Sequence, residues 1–346
     1  MDLSKTVDNR INQLIQNDKN TNDTLDMLNN STIGMIEQYL TQFFNRYAVD
    51  NELTVSQANA MINSWDKQQF QQLLNDLNVN DLSYDAQQRV KVLGVKAGMN
   101  HGAMLNAIIA MTLVYLTDKQ KDIITTHETQ TVTSQIQHLA KVSSKFRDIS
   151  KLIFAKIDNS ADAGINNIRN SLGLNGLHYN TGINVKTGKT LVTEDKNTKL
   201  WSNNLWNKSD EMTNDVENLV NQHIRHNMSL DDLKDMLIKH TNKNQFNPKK
   251  SIADRIKQTE YNAQRLIRTE SSRLVNIVNK ITYRTSNITT VDLHHEPSAC
   301  DYCVDLSNQG PWSIDDAPEI PQDTHPNCYC YLIPHDGDSN LAFDPN

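Results

Sequence analysis

All four cysteines of the 346-residue chain fall within its last 47 residues, as Cys300, Cys303, Cys328 and Cys330. No other feature restricts the fold as strongly. Cys300-Asp-Tyr-Cys303 opens the pattern, and His325-Pro-Asn-Cys328-Tyr-Cys330 closes it. A CxxC places two thiolates on one knuckle, able to chelate a tetrahedral ion through bonds of ~2.3 Å. Cys328 and Cys330 can supply the other two ligands, and His325 competes with them to give a Cys3His site. The first twenty residues carry no apolar run and no cleavage site, so no secretory signal is expected. A reducing compartment follows, where clustered cysteines suggest metal before disulfides. Zinc is the expected cofactor. The competing readings are a disulfide and plain reduced thiols with His325-Pro326 as a turn.

Charge changes sign abruptly along the chain. Residues 243–284 contain ten Lys/Arg and three Asp/Glu, whereas residues 291–346 contain eleven Asp/Glu and no Lys or Arg. Such reversals mark domain boundaries or docking surfaces. Lys249, Lys250, Arg255, Lys257 and Arg265 are therefore candidate contacts to DNA phosphates or to an acidic partner. The competing reading is neutralisation by the acidic tail. The net charge of −7 argues against a generally basic nucleic-acid-binding surface.

With 11 glycines and 8 prolines, a collagen-like chain and a turn-dense β-sandwich are excluded. Apolar residues instead recur at helical spacing. Residues 1–48 read as helices with polar breaks such as Asn29-Asn30-Ser31, with Ile36, Tyr39, Leu40, Phe43 and Phe44 on one face. Ser64 or Asp66 starts another helix. Met104–Leu116 is the most apolar run, but its 13 residues fall short of the ~20 a membrane span needs, so a buried helix is expected. Val132, Ile136, Leu139, Val142, Phe146 and Ile149 predict a long amphipathic helix. Five glycines cluster over 164–188, where Thr187-Gly188 suggests a small hairpin. Helices follow over about 210–226 and from a cap at Ser229, then a polar linker over 241–251. A basic helix over 252–286 carries Glu270 on its apolar stripe. A carboxylate there is costly unless paired, so a structural Glu270 bonded to arginine is expected.

The expected fold is mainly α, a long-helix N-terminal body with a small α+β C-terminal domain carrying the zinc-knuckle-like cysteine module. The expected division is a helical domain over 1–160, a connector with a hairpin over 161–208, the C-terminal domain over 209–335 and a tail over 336–346.

Arg268-Thr269-Glu270 on a helix, Cys300-x-x-Cys303 with Leu306, and His325-Pro326-x-Cys328-x-Cys330 together resemble the C-terminal signature of the MuF-like phage head morphogenesis proteins. The signature covers about residues 252–333, and the upstream likeness rests on layout. Two positions depart from the pattern: Tyr329 stands where the family has Arg between the last two cysteines, and no Gly follows Leu306 directly. The resemblance implies a minor capsid protein of a tailed phage that is assembled in the host cytoplasm and carried in the virion head. It implies association with the portal and with capsid or scaffold proteins, contact with phage DNA, and a role in head assembly or genome delivery. In such a protein Arg268 and Glu270 are structural, and the metal is scaffold rather than activity. No enzyme, small-molecule substrate or membrane is implied, and no further domain is expected after Cys330.

Two other functions compete. A metal-dependent hydrolase or nuclease would use His295, Glu296, Asp301 and His325 with the cysteines, but a Cys-rich site reads as closed, and HExxH, P-loop, GxGxxG and GxSxG motifs are absent from the sequence. A zinc-containing nucleic-acid-binding protein is the other, but the module is acidic and repels phosphate.

Overall fold

Long helices carry the chain because apolar residues keep a spacing of three and four for tens of residues. The computed structural model describes residues 3–50, 52–150, 180–184, 189–193, 201–227, 229–238 and 252–335. Helix α1 is Leu3–Tyr47, α2 Val55–Asn59, α3 Ser64–Asp76, α4 Tyr84–Ala97 and α5 His101–Val142, with further helix over 144–150. Strands β1 (Asn180–Asn184) and β2 (Lys189–Thr193) pair antiparallel, as expected for the hairpin. Helices α6 (Trp201–Arg225), α7 (Leu230–Ile238) and α8 (Ile252–Thr285) follow. Then come β3 (Thr290–His294), α9 (Asp301–Ser307), β4 (Trp312–Ser313) and β5 (Tyr331–Pro334), whose strands form an antiparallel sheet in the order β4-β3-β5. The mainly α fold with a small C-terminal sheet is thus as expected. The 187–188 turn, the 241–251 linker and the 336–346 tail lie outside the described residues.

Two compact units emerge, and neither is one continuous stretch. The cysteine unit takes Met1–Asp23, Ile123–Trp201 and Ala263–Asn346, and the helical unit takes Thr24–Asp122 and Ser202–Asn262. The linear division at 160 and 208 does not describe them. Helices α1, α5 and α8 each supply residues to both units, and periodicity marks a helix without revealing which partner covers it.

In the helical unit the core is the apolar start of α5. Leu105, Met111, Leu113 and Leu116 are completely buried there, among Leu40, Phe43 and Phe44 of α1. No described helix is long and apolar enough to cross a membrane. The expected break at Asn29-Asn30-Ser31 does not occur. Asn29 is buried, accepts a hydrogen bond from Gln120 Nε2 at 3.0 Å and donates to Glu260 Oε2 at 3.0 Å. Its amide is satisfied by neighbouring helices, so its turn preference is overridden. The cap of α3 lies one residue before the expected start, at Asn63, which accepts from the Trp65 and Asp66 N–H groups while Asp66 accepts from the Asn63 N–H. Helix α6 starts at Trp201, well before the expected 210, with buried Leu205 and Trp206. Ser229 caps α7 as expected, accepting the Asp232 N–H at 3.1 Å.

The cysteine unit has its own core. Val132, Ile136, Leu139, Val142, Phe146 and Ile149 pack with Leu274 and Val278 of α8, with Val291 and Leu293 of β3, and with Cys303 and Cys328. A second cluster joins Val7, Ile11 and Leu14 of α1 to Val275, Tyr329 and Tyr331.

Glu260 in the helical unit provides a pH test. Burial, with the protonated carboxyl donating a hydrogen bond to Asp26, pushes Glu260 from 4.5 up to about 7. The folded state holds this proton more tightly than the unfolded chain. Its stabilisation is therefore full below about 4.5 and is lost as pH rises toward 7. Denaturant unfolding at a series of pH values should show this decline, and Glu260→Gln should flatten it. Identical pH profiles for the two proteins would contradict the assignment.

Candidate metal centre

The CxxC occupies the first turn of α9. Cys300 is its N-cap and Cys303 lies inside it, so both sulfurs sit near the positive end of the helix. Cys328 and Cys330 directly precede β5, which pairs with β3 along Val291–His294. Pairing of β3 with β5 and packing of α9 beside β3 bring the two halves of the motif together. Cys300, Cys303 and His325 present donor atoms within 4.8 Å of one another, and so do Cys303, Cys328 and Cys330. Cys303 belongs to both groups. These are the sites of three or more His, Cys, Asp or Glu donors among the described residues.

The separations suit a tetrahedral ion. Metal–sulfur bonds of ~2.3 Å set a sulfur–sulfur edge of ~3.8 Å. Cys303 Sγ and Cys328 Sγ are 3.8 Å apart, and Cys300 Sγ is 3.3 Å from His325 Nε2. The Cys330 N–H donates to Cys328 Sγ at 3.3 Å, which stabilises a thiolate there. The Cys330 thiol and this N–H together bring Cys328 down to about 6. Burial drives Cys303 up to about 12, and the neighbouring Cys328 sulfur raises Cys330. Without a cation, crowded sulfurs cannot all ionise, and a divalent ion relieves that repulsion. Cys303, Cys328 and Cys330 are buried while Cys300 is exposed. Either group can therefore hold a metal ion, Cys300 with Cys303 and His325 or Cys303 with Cys328 and Cys330.

Arg268 and Glu270 lie on α8 and do different work. Glu270 is 1% exposed and accepts two hydrogen bonds from Arg273, one turn along, the Nε bond being 3.0 Å. The expected arginine pairing is present. Arg268 donates to both oxygens of Glu296, at 3.1 and 3.3 Å, and covers the Tyr329 ring at 4.2 Å. Glu296 also accepts the Tyr329 N–H at 3.3 Å. The Tyr329 hydroxyl donates to Asp18 of α1. Tyr329 thus has a defined place where the resembled signature carries Arg.

Asp18, His127 and Ser271 have the composition of a catalytic triad but not its wiring. Ser271 Oγ and Asp18 Oδ1 both approach His127 Nε2, at 2.8 and 2.9 Å, while Nδ1 faces Thr21 Oγ1 at 2.8 Å. A triad needs serine and carboxylate on opposite ring nitrogens. All three side chains are also buried. Nothing in the sequence near Asp18 announces this network, because its partners are more than a hundred residues away. Arg273, three residues after Glu270, was a readable signal.

Lys249 and Lys250 lie outside the described residues. Arg255 is ion-paired with Asp215. Lys257 and Arg265 are exposed on α8. Of the residues considered for a hydrolase, Glu296 is engaged by Arg268, Asp301 is exposed in the first turn of α9, and His295 Nδ1 lies 3.1 Å from the Glu296 carbonyl oxygen. No protein-family model, curated protein or solved structure matches the chain.

Removing one partner of the buried pair should be costly. Glu270→Ala is expected to destabilise the protein by about 3 kcal/mol, because buried Arg273 loses the carboxylate that accepts its hydrogen bonds and keeps only Glu128 nearby. Glu270→Leu combined with Arg273→Met should recover much of that loss in urea unfolding. A Glu270→Ala variant within about 0.5 kcal/mol of the parent would show that the pair is not buried as described.

Proposed function

We propose that the chain is a structural minor capsid protein of the MuF-like head morphogenesis type, with a zinc-stapled C-terminal module. One observation carries this reading. The residues on which the resemblance rests, Arg268, Glu270, CxxC and HPxCxC, all belong to a single unit and are tied to one another or to their immediate neighbours by packing and hydrogen bonds. The sulfur-rich donor set suits zinc, and four thiolate or imidazole ligands leave no open coordination position for a water or substrate. This supports a scaffold metal and a non-enzymatic protein. Glu296, Asp18, His127 and Ser271 are consumed by structural bonds, which supports the same conclusion.

In this role the chain enters the head in low copy number in the host cytoplasm and remains in the virion. Its partners are the portal protein and capsid or scaffold proteins, with phage DNA a further contact through Lys257 and Arg265. The test is quantitative mass spectrometry of purified particles from the replicon that encodes the chain, with and without its gene. The expected result is a few copies per head and a loss of infectivity on deletion. Full infectivity of particles lacking the chain would contradict the proposal, as would DNA or RNA turnover by purified protein that Glu296→Ala abolishes with folding intact.

A further inference from the structure

Helix α4 in the helical unit is apolar on two faces. Ala86, Val90, Leu93 and Ala97 are buried in the core. On the opposite side Tyr84 is 75% exposed, Val92 61%, Val95 79% and, just past the helix end, Met99 59%. Residues advance about 100° per step, so Tyr84, Gln88, Val92, Val95 and Met99 fall within an arc of about 80°. Exposed apolar residues scattered singly need no explanation, but four on one seam over about 22 Å do. Among the described residues of this unit, none covers this second apolar face.

The seam borders a cavity of about 450 Å³ between α2, α4, α5 and α6, to which Met99 contributes. Its floor includes Leu93, Ala103, Ala107, Ala110 and Ile224. Asn106 Oδ1 is buried in its wall without a hydrogen-bond partner among the described residues. Adjoining it along α4 and α6 is a shallower depression lined by Val92, Leu93 and Val114. An apolar seam beside a cavity is the form taken by helix-in-groove recognition, where the cavity receives an anchor side chain.

Charge identifies the occupant. Arg89, Lys96 and Asp85 beside the seam are each ion-paired within the unit, with Asp210, Glu217 and Lys121. Lys91 on one flank and Arg225 at the cavity have no ion pair among the described residues, and both are cations. A second copy of α4 is a poor match, since pairing two seams about a two-fold axis brings Lys91 close to its own counterpart. We propose that the α4 seam docks an amphipathic helix of another protein, one whose apolar stripe is flanked by Asp or Glu. This deepens the assembly reading and rests on it for the partner's role; the docking itself is tested without particles.

The experiment uses the full chain and two labelled helical peptides of about 18 residues, with the same leucine stripe flanked either by Glu or by Lys. Fluorescence anisotropy should show the Glu-flanked peptide binding at least about tenfold more tightly. Val95→Asp, at a position too exposed to matter for folding, should weaken it by about tenfold or more. Lys91→Glu should remove or reverse the preference between peptides. If Val95→Asp alters the circular dichroism spectrum, Tyr84→Asp at the far end of the seam reads the same outcome. No binding of either peptide, or equal binding that the seam variants leave unchanged, overturns the proposal. So does self-association of the chain that Val95→Asp abolishes, since it would assign the seam to a second copy. A failure of the virion reading would leave the peptide result intact.

Discussion

Crowding of cysteine sulfurs around Cys303 is the constraint on which the C-terminal module depends. The segment 300–330 is acidic, has no lysine or arginine, and contains only a seven-residue helix and a two-residue strand. Ordering its backbone costs about 1–2 kcal/mol per residue. Cys303 and Cys328 extend the hydrophobic core, and their 3.8 Å separation makes that core continuous with the donor cluster. A cation bound there would join α9 to the segment that leads into β5. Lys280 supplies a second tie, donating from α8 to the Ala317 carbonyl at 2.9 Å and to Glu319 at 2.6 Å.

Polar burial organises the rest of the cysteine unit. Asp18, His127, Ser271 and Tyr329 form one network, and Arg268, Glu296 and Tyr329 form another joined to it through the tyrosine. Glu270 and Arg273 form a buried pair. Such networks add little net stability compared with apolar packing, but unmade bonds would be costly, which restricts the chain to one arrangement. These side chains serve as scaffold, each engaged by the partners that bury it.

Much of this was legible in the sequence where the signal is local. The stripe of α8, the Ser229 cap, the hairpin strands and the Cys-x-x-Cys knuckle each depend on residues a few positions apart. Glu270 was readable because a carboxylate on an apolar stripe requires a partner, and Arg273 sits one turn away. What was not legible depends on distant partners. Asn29 looked like a break because its own preference is for turns, yet Gln120 and Glu260 satisfy it within a helix. Helix α6 was expected to begin late because the capping preferences of Asn203, Asn204 and Asn207 obscure its start. The interleaving of the two units could not be read, since α1, α5 and α8 keep one periodicity while changing the core they serve.

The most direct measurement is the metal content and coordination of the purified full chain, by elemental analysis together with X-ray absorption at the zinc edge. The account predicts about one zinc per chain, four-coordinate with sulfur-dominated ligation, and release of that zinc when Cys303 is replaced by Ser. A metal-free protein with four reactive thiols and a C-terminal module as resistant to proteolysis as the rest of the chain would contradict it.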